Sequence, residues 1–409
     1  MRFVIVGNGV AGVTAAQALV RADPDAEVHL IGAEPYPYYQ RPRLWALIAG
    51  EIQEEDLYFR PAEWYAERGI QLQLGQTVTA IDPAAHQVTL QDSTQLGYDR
   101  LLLTTGGRSF IPPIEGAKQD GVFALRTLDD AKAIKAYAQN VDSVLIVGGG
   151  LLGLETARAL LNGQRTVTVL EIVPHLLPRQ LDAPGATVLT RRLEEMGLRI
   201  QIGTQTKTIL GDNGHATGIR FGSGGEIEGG LIVLSTGIRS QIELGKDAGL
   251  ETNRGIIVDK QLQTSAPDVY AAGDVAEFQG RVYGIIPAAI EQARAAAANM
   301  VDKGSVTYTG TVPSTTLKIV GIELTCLGES TAEGDEYTIL RHIDQEKGVY
   351  KRLALRGTKI VGAILLGDTQ DARPIQQLIA GGQKVADYGE RLVDGSVDLK
   401  ALAQGGSPS

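Results

Sequence analysis

The feature that most constrains the fold is a strand, glycine turn, helix and second strand that occurs twice in the 409-residue chain. The first copy starts at "RFVIV" and ends with "EVHLIG", and the second starts at "SVLIV" and ends with "TVTVLE". The turn glycines are Gly7, Gly9 and Gly12 in the first copy and Gly148, Gly150 and Gly153 in the second. Two such βαβ units predict an α/β fold with two Rossmann-like dinucleotide-binding domains.

Each part of the unit has a physical task. The first glycine permits the tight turn, the second lets the main chain approach a pyrophosphate, and the third lets the helix pack closely on the strand. The helix N-terminus offers unpaired N–H groups and a partial positive charge to the diphosphate. Glu34 and Glu171 follow at roughly the ~20-residue spacing of an acid that accepts the adenosine ribose hydroxyls. Two bound dinucleotides are therefore expected.

The acid at Glu171 favours NADH over NADPH, because a carboxylate would repel a 2′-phosphate. Arg165 and Arg179 are near enough in sequence to keep NADPH open as the weaker alternative.

Composition excludes several other classes of protein. The net charge is -10 and no long basic block is present, so nucleic acid is not expected as a partner. Cys326 is the single cysteine, and the five histidines never fall at metal-ligand spacing, so no metal site is expected. The chain begins directly with an apolar strand, "MRFVIVG", and has no apolar stretch near the ~20 residues of a membrane span. We therefore expect a cytoplasmic protein without a membrane span.

The segments outside the two units predict further strands. "QVTLQDSTQLGYDRLLLTTGG" looks like a hairpin that leads into a strand over 101–103. After about Gly304 the chain changes to short strands, in "TTLKIVGIELTCLGE", "EYTILRHI", "GVYKRLALRG" and "KIVGAILLGD". These indicate a separate C-terminal α+β domain, followed by a helix over 374–381 and a mobile tail at 386–409.

From Met1 to about Ile379 the chain resembles the FAD- and NAD(P)-dependent pyridine nucleotide oxidoreductases. The motifs "GIRS", "AGLETNRGIIVDKQLQTSAPDVYAAGDVAE" and "TTLKIVGIELTCLGE" look like NADH:rubredoxin reductases and like the flavin module of the NADH-dependent nitrite reductase large subunit. The resemblance implies a glutathione-reductase-like fold. Its domains would be an FAD domain at 1–110 and 242–304, an NAD domain at 111–241 and an interface domain at 305–385.

The resemblance also implies roles for individual residues. On the flavin side it implies contacts from Gly7, Gly9, Gly12, Glu34, Arg41, Pro42, Val78, Thr105, Gly106, Gly273, Asp274, Pro287 and Lys318. On the nicotinamide side it implies Gly148, Gly150, Gly153, Glu171 and Gly237 for binding, with Glu155 as the catalytic acid that meets the nicotinamide amide. For Glu155 a helix N-terminal acid stabilised by the helix dipole is the alternative. Lys318 is equally compatible with a solvated surface lysine.

The helix that begins near Pro287 would direct its N-terminus at the flavin pyrimidine and stabilise the reduced ring.

The missing cysteine pair decides the expected route of the electrons. Related disulfide reductases carry redox cysteines near "YYQRPRLWAL" at 38–47, and this chain has none there. We therefore expect hydride transfer from NADH to FAD and then single-electron transfer to a small redox protein, rubredoxin or ferredoxin. Such carriers are usually acidic, so a basic docking patch is expected. Its candidate residues are Arg41, Arg43, Lys318, Lys351 and Arg352.

Three alternatives stay open. The flavin could reduce a small acceptor such as a quinone or oxygen directly. The chain could be an electron-input subunit for nitrite reduction, since it carries no cysteines to ligate an iron–sulfur cluster or sirohaem. It could also be a flavin-binding module whose NADH-dependent state is sensed by a protein partner. A homodimer is open beside a monomer.

Overall fold

The computed structural model describes residues 1–162, 164–312, 314–319 and 321–405, with the backbone alone for 314–319. The strands are β1 (Arg2–Val6), β2 (Glu27–Gly32), β3 (Ile70–Leu74), β4 (Val78–Asp82), β5 (Gln87–Leu90), β6 (Gln95–Gly97), β7 (Arg100–Leu103), β8 (Gly107–Ser109), β9 (Val122–Phe123), β10 (Ser143–Val147), β11 (Thr166–Glu171), β12 (Arg199–Ile202), β13 (Thr206–Asp212), β14 (His215–Phe221), β15 (Glu226–Glu228), β16 (Leu231–Leu234), β17 (Ile238–Ser240), β18 (Ile256–Val258), β19 (Val269–Ala271), β20 (Ala276–Phe278), β21 (Ser314–Ile319), β22 (Ile322–Gly328), β23 (Tyr337–Asp344), β24 (Val349–Arg356) and β25 (Lys359–Leu366). The α-helices are α1 (Val10–Ala22), α2 (Leu44–Ala49), α3 (Ala62–Ala66), α4 (Leu128–Tyr137), α5 (Leu151–Leu160), α6 (Ala183–Glu195), α7 (Glu243–Asp247), α8 (Ile286–Val301), α9 (Ala372–Gly381) and α10 (Leu399–Ala403). Short 3-10 helices span Arg41–Arg43, Glu55–Leu57, Ala138–Asn140, Gly273–Val275 and Ala386–Leu392.

The chain divides into two compact units, and the first comprises Met1–Arg43, Ile52–Arg108 and Ile238–Thr311. Its centre is a parallel sheet in the order β19-β7-β1-β2-β3. Strand β1 is buried from Phe3 to Val6, as an apolar strand covered on both faces requires. Helix α1 packs against α8. The predicted hairpin is confirmed as β5 and β6, which pair antiparallel and lead into β7.

The second unit comprises Leu44–Glu51, Ser109–Gly237 and Val312–Ser409. It contains a second parallel sheet, in the order β12-β11-β10-β16-β9. A three-stranded antiparallel sheet, β13-β14-β15, lies between β12 and β16 in the chain, just as β4-β5-β6 lies between β3 and β7. The structural repeat therefore extends beyond the two βαβ segments, and the predicted α/β fold with two Rossmann-like domains is confirmed.

The C-terminal part of the second unit is the predicted α+β structure. Its antiparallel sheet has the order β21-β22-β25-β24-β23 and contains all the strand segments expected after Gly304. Helix α9 covers the expected 374–381 and begins two residues earlier. The three-domain boundaries stay a prediction, since contacts alone divide the chain in two.

Helix α2 belongs to the second unit, where it packs against α4 and α5. One local expectation differs from the structure. The prediction of a mobile tail is wrong for 386–405. Five aliphatic side chains of this segment are buried in the same apolar core as the C-terminal sheet: Leu392, Val393, Val397, Leu399 and Leu402. They cover an apolar face of the sheet that would otherwise be exposed to water. Residues 406–409 lie outside the described part of the chain.

Candidate functional site

The glycine turn of the first unit is shaped by close backbone contacts. Gly7 adopts φ +115°, and a Cβ there would collide with the carbonyl group of Thr104. A Cβ on Gly12 would collide with the carbonyl oxygen of Gly7. The Thr104 hydroxyl shares its one proton between the carbonyl oxygens of Val6 (3.0 Å) and Gly7 (2.8 Å), which fixes the turn against the end of β7. These two glycines are therefore required by the fold itself.

Gly9 is different, because neither its backbone nor its neighbours require a glycine. It is the N-cap of α1 with φ -89° and ψ -171°, angles open to any residue, and a Cβ there would meet no atom within 4 Å. No side chain caps the helix N-terminus. The result is an open space in front of main-chain N–H groups, which is the arrangement that binds a pyrophosphate.

The second unit repeats this arrangement. Gly148 has φ +117° and would collide with Ser235, and Gly153 would collide with the carbonyl oxygen of Gly148, if either carried a Cβ. Gly150 caps α5 with φ -78° and ψ 176°, has no side-chain cap, and has open space where a Cβ would lie. Of the three motif glycines in each turn, two are thus structural and one leaves room for a ligand.

The acid of the first unit is held by two neighbours. The Glu34 carboxylate accepts a hydrogen bond from the Tyr39 hydroxyl and forms an ion pair with Arg41. Arg41 and Pro42, predicted beside the cofactor, lie on the 3-10 helix Arg41–Arg43. The structure therefore brings Glu34 and Arg41 together, while Pro42 is exposed.

The acid of the second unit is tied to the glycine turn. Glu171 is buried at the end of β11. Its Oε2 accepts from the N–H of Gly149 at 2.7 Å, and its Oε1 accepts from the N–H of Val173 at 3.0 Å. Each carboxylate oxygen keeps a second lone pair, so both can still accept a ribose hydroxyl.

Arg165, which kept NADPH open in the sequence, lies at the opposite end of β11 from Glu171. Its Nε donates to the carbonyl oxygen of Val141 at 3.2 Å. At about 3.3 Å per strand residue, the length of β11 separates it from the carboxyl end of the sheet, where ligands of such folds bind. Arg179 is exposed in the segment that follows β11.

Four more of the residues predicted for the flavin follow strands of the parallel sheet in the first unit. Thr105 and Gly106 follow β7, where the Thr105 hydroxyl donates to the carbonyl oxygen of Gln241 at 3.0 Å and Gly106 has φ +69°. Gly273 and Asp274 begin the 3-10 helix after β19, at the same edge of the parallel sheet. Val78 is buried on β4.

Helix α8 begins at Ile286, with Pro287 in its first turn and no side-chain cap at its N-terminus. The predicted helix start near Pro287 is confirmed, while its orientation toward a flavin stays a prediction. Lys318 lies on β21 in register with Glu323, and its side chain is outside the described part of the structure. Gly237 follows β16 with φ +108°.

Glu155 has a strongly altered acidity. It is the fifth residue of α5, one turn beyond the open N-terminus, and lies half-buried. Burial raises the pKa of its carboxyl to about 7. Glu155 lies in the second turn of α5, where the helix dipole stabilises a carboxylate only weakly, because the effect is confined to the first turn. A group that changes protonation near neutral pH fits the predicted contact with a nicotinamide amide.

The predicted basic patch is wrong for two of its residues. Lys351 and Arg352 are buried, with 8% and 0% of their surface exposed. The Lys351 ammonium pairs with Asp368 (2.8 Å) and Asp371 (2.9 Å), and Arg352 Nε lies 3.2 Å from Asp182. Carboxylates from distant segments neutralise both cations, so neither offers charge to a partner. Of the other candidates, Arg43 is half-buried and donates to the carbonyl oxygen of Asp56.

Cys326 lies buried on β22, as expected for a structural thiol. Its Sγ donates to the carbonyl oxygen of Gln180 at 3.3 Å, and burial raises the pKa of the thiol to about 12. A thiol so far from ionisation is a poor nucleophile. Within the described residues no cluster of three or more His, Cys, Asp or Glu could hold a metal ion. In that part of the chain no helix has the length and apolar character to cross a bilayer.

Residues 1–298 match the pyridine nucleotide-disulphide oxidoreductase family. The chain belongs to this family. Residues 313–383 match a second family, the rubredoxin NAD+ reductase C-terminal domain. Membership implies a flavin and a pyridine nucleotide as cofactors, and the open glycine positions, uncapped helix starts and strand-end acids fit both groups.

Three known proteins show how this family member compares with others. A nitrite reductase [NAD(P)H] of Bacillus subtilis is 38% identical over 95% of this chain and 48% of its own length. A rhodocoxin reductase of Rhodococcus erythropolis is 30% identical over 98% of this chain and 94% of its own. The crystal structure of a ferredoxin reductase from Rhodopseudomonas palustris superposes with a TM-score of 0.90 at 25% identity, covering 98% of this chain and 99% of that one. The chain spans about half the length of the nitrite reductase relative.

Sequence reasoning missed two residues that hold the Gly273–Asp274 turn. Gln292 accepts a hydrogen bond from the Gly273 N–H, and Ser240 donates one to the Asp274 carbonyl oxygen. A signal for Gln292 was present in "AAIEQARAAAANM", where it falls on the alanine face of an amphipathic helix. Tyr39, which binds Glu34, gave no signal beyond its place before Arg41.

Proposed function

We propose that this protein is an NADH-dependent flavoenzyme that passes electrons from FAD to a small redox protein such as rubredoxin or ferredoxin. The observation that carries the proposal is the pair Gly9 and Gly150. Both adopt backbone angles open to any residue, and both have empty space where a side chain would lie. A glycine that the fold does not need, at an uncapped helix N-terminus, is explained by a bound pyrophosphate.

In the first unit the chain's own groups would hold FAD. The N–H groups at the start of α1 bind the pyrophosphate, and Glu34 accepts the adenosine ribose hydroxyls while Arg41 and Tyr39 keep its carboxylate in place. Asp274 binds the ribityl region. The N-terminus of α8 stabilises negative charge on the reduced ring, because it too has no side-chain cap.

In the second unit the start of α5 binds the pyrophosphate of NADH. Glu171 accepts the ribose hydroxyls and repels a 2′-phosphate, since its carboxylate is held in place by the main-chain N–H groups of Gly149 in the glycine turn and of Val173 after β11. Arg165 lies at the wrong end of β11 to offset that charge. We infer NADH as the preferred reductant on this basis.

Glu155 orients the nicotinamide. With its pKa raised to about 7 by burial, the carboxyl is protonated below neutral pH and can then donate as well as accept a hydrogen bond at the carboxamide. When bound, NADH supplies a hydride to FAD, and FAD releases the two electrons one at a time. The protein binds and orients the reactants, and no protein nucleophile is needed.

The absence of a thiol relay favours outward transfer from the flavin. Cys326 is the single cysteine of the sequence, and it is buried on β22 with a thiol pKa of about 12. The match of 313–383 to the rubredoxin reductase C-terminal domain, together with the rhodocoxin and ferredoxin reductases among the similar proteins, supports a small redox protein as acceptor.

A second candidate function is electron input to nitrite reduction. The observation that favours it is the 38% identity to the nitrite reductase of Bacillus subtilis, which covers 95% of this chain. In this case the acceptor would be a siroheme-bearing protein or domain instead of a free carrier.

Purified protein supplied with FAD would be assayed with NADH and with NADPH against rubredoxin, ferredoxin, a quinone and oxygen. The proposal predicts carrier reduction by NADH that is at least about tenfold faster than reduction of the quinone or oxygen. Equal rates with all acceptors would contradict it, and turnover restricted to a siroheme protein added to the same assay would favour the second function.

A further inference from the structure

The turn Gly273–Asp274 is held by side chains on both sides. It starts the 3-10 helix that follows β19, where the ladder of the parallel sheet has ended. The Gly273 N–H donates to Gln292 Oε1 at 2.8 Å, and the Ser240 hydroxyl donates to the Asp274 carbonyl oxygen at 2.6 Å. Two main-chain groups of a turn are thus satisfied by two side chains from α8 and β17.

Gln292 is an unusual residue for its place. It is 1% exposed on a helix whose buried face consists mainly of alanines. Burying an amide costs free energy unless it is hydrogen-bonded. Its oxygen must face Gly273, because a main-chain N–H can pair only with the oxygen of a glutamine. Its nitrogen has no hydrogen-bond partner among the described residues, so the hydrogen bond of its oxygen to Gly273 is what offsets the burial of the amide.

The Gly273–Asp274 turn is closely packed between neighbouring helices, which restricts movement of its main chain. Gly273 has φ +82°, and a Cβ there would lie 3.1 Å from the Cβ of Ala11 and 3.7 Å from that of Ala289. The turn is therefore wedged between α1 and α8, the helix of the first glycine turn and the helix that carries Gln292. The hydrogen bond from Gly273 to Gln292 fixes the position of the turn along the axis of α8.

We propose that Gln292 is a positioning residue for FAD, acting through the Gly273–Asp274 turn with Ser240 as its counterpart. It fixes the main chain so that the Asp274 carboxylate meets the ribityl region at a set place, without touching the cofactor itself. This inference rests on the proposed function, in which Asp274 binds FAD.

The test compares Gln292→Leu with Gln292→Glu. Leucine fills a similar volume but leaves the Gly273 N–H without an acceptor, whereas a glutamic acid, protonated in this buried site, keeps the acceptor oxygen. FAD dissociation constants, the flavin absorbance spectrum and the midpoint potential would be measured for each. We expect about tenfold weaker FAD binding and a shifted spectrum and potential for Gln292→Leu, and values near wild type for Gln292→Glu.

Asn299→Leu is the matched control. Asn299 is a fully buried amide on the same helix that bonds Gln261 and Val306, away from the turn. It should lower the melting temperature and leave the spectrum and potential unchanged. If Gln292→Leu fails to fold, Ser240→Ala tests the other side of the turn, where about threefold weaker FAD binding with a shifted potential supports the proposal.

Two results separate this inference from the proposed function. Wild-type protein that binds no FAD would overturn both. Wild-type protein that binds FAD, with Gln292→Leu or Ser240→Ala showing the same dissociation constant, spectrum and potential, would overturn the positioning role alone. A loss of melting temperature in Gln292→Leu equal to that in Asn299→Leu, with no flavin change, is likewise a purely structural outcome that overturns it.

Discussion

Glu171 Oε2 accepts a hydrogen bond from the main-chain N–H of Gly149 at 2.7 Å. The contact joins the acid at the end of β11 to the glycine turn at the end of β10, so a negative charge is fixed beside the place where a dinucleotide ribose would lie. In the proposed reaction, FAD binding by the first unit and NADH binding by the second both depend on an acid at a strand end and on the N-terminus of the helix in the same βαβ unit.

Glu171→Gln should reduce discrimination against NADPH. The neutral amide still accepts hydrogen bonds but no longer repels a 2′-phosphate, so the ratio of kcat/KM for NADH over NADPH should fall about tenfold. Steady-state kinetics with both nucleotides measure it. Glu34→Gln is the control, since that acid lies in the first unit: it should weaken FAD binding and leave the nucleotide ratio unchanged. An unaltered ratio in Glu171→Gln would mean that another group selects the nucleotide.

Gly150→Ala should weaken NADH binding without loss of stability, whereas Gly153→Ala should destabilise the fold. A methyl group on Gly150 enters open space, so the fold and the melting temperature are kept while KM for NADH rises by about tenfold or more. A methyl group on Gly153 collides with the Gly148 carbonyl oxygen and should cost about 3 kcal/mol of folding free energy. Melting curves and NADH titrations separate the two. Normal NADH binding by a folded Gly150→Ala protein would contradict the assigned site.

Glu155→Gln should change the pH dependence of stability. Burial raises the pKa of the folded carboxyl from 4.5 to about 7, so the folded state holds this proton more tightly than the unfolded state. The contribution of Glu155 to wild-type stability therefore falls as pH rises from 4.5 to 7 and is level above that. Glu155→Gln should be close to wild type at pH 4.5 and more stable at pH 8 by up to about 3 kcal/mol. Urea unfolding at both pH values measures the difference, and a pH-independent difference would contradict the raised pKa.

Asp182→Ala should be strongly destabilising. The Asp182 side chain is 2% exposed, lies 3.2 Å from the fully buried Arg352, and accepts from the Tyr350 hydroxyl at 2.7 Å. Its removal leaves a buried cation without its partner, which costs about 3–5 kcal/mol. Glu195→Ala breaks the exposed pair with Arg191 on the same helix and should cost at most about 0.5 kcal/mol. Chemical denaturation compares them, and similar losses would show that the buried pair contributes no more than a surface pair.

The parts of the fold that depend on short-range sequence patterns could be predicted. Each βαβ pattern spans about 30 residues and includes the first strand, the glycine turn and the acid that follows or ends the second strand. Backbone sterics allow few other structures for such a pattern. The roles of Gly7 and Gly12 followed from the same rule, and the structure shows the backbone collisions that enforce them.

The sequence could not predict features that depend on distant partners. Lys351 and Arg352 were predicted to be surface cations, but both are buried and paired with carboxylates. The partner of Arg352 is Asp182, which lies 170 positions earlier in the chain, so the pair is not visible in the local sequence. The packing of 386–405 likewise depends on the apolar face of a sheet formed by other segments. Gln292 has a local signal, a single amide on an alanine face, but its partner Gly273 becomes visible only in the fold.

In the proposed reaction, electrons leave the flavin for a carrier without any protein thiol. Anaerobic stopped-flow mixing of NADH-reduced wild type and Cys326→Ala with oxidised rubredoxin or ferredoxin, followed through the flavin absorbance, tests this directly. We expect the flavin to be reoxidised at the same rate in both proteins, and faster than by oxygen alone. Reoxidation by the carriers no faster than by oxygen, or its loss in a folded Cys326→Ala protein, would rule out direct transfer from the flavin to a carrier.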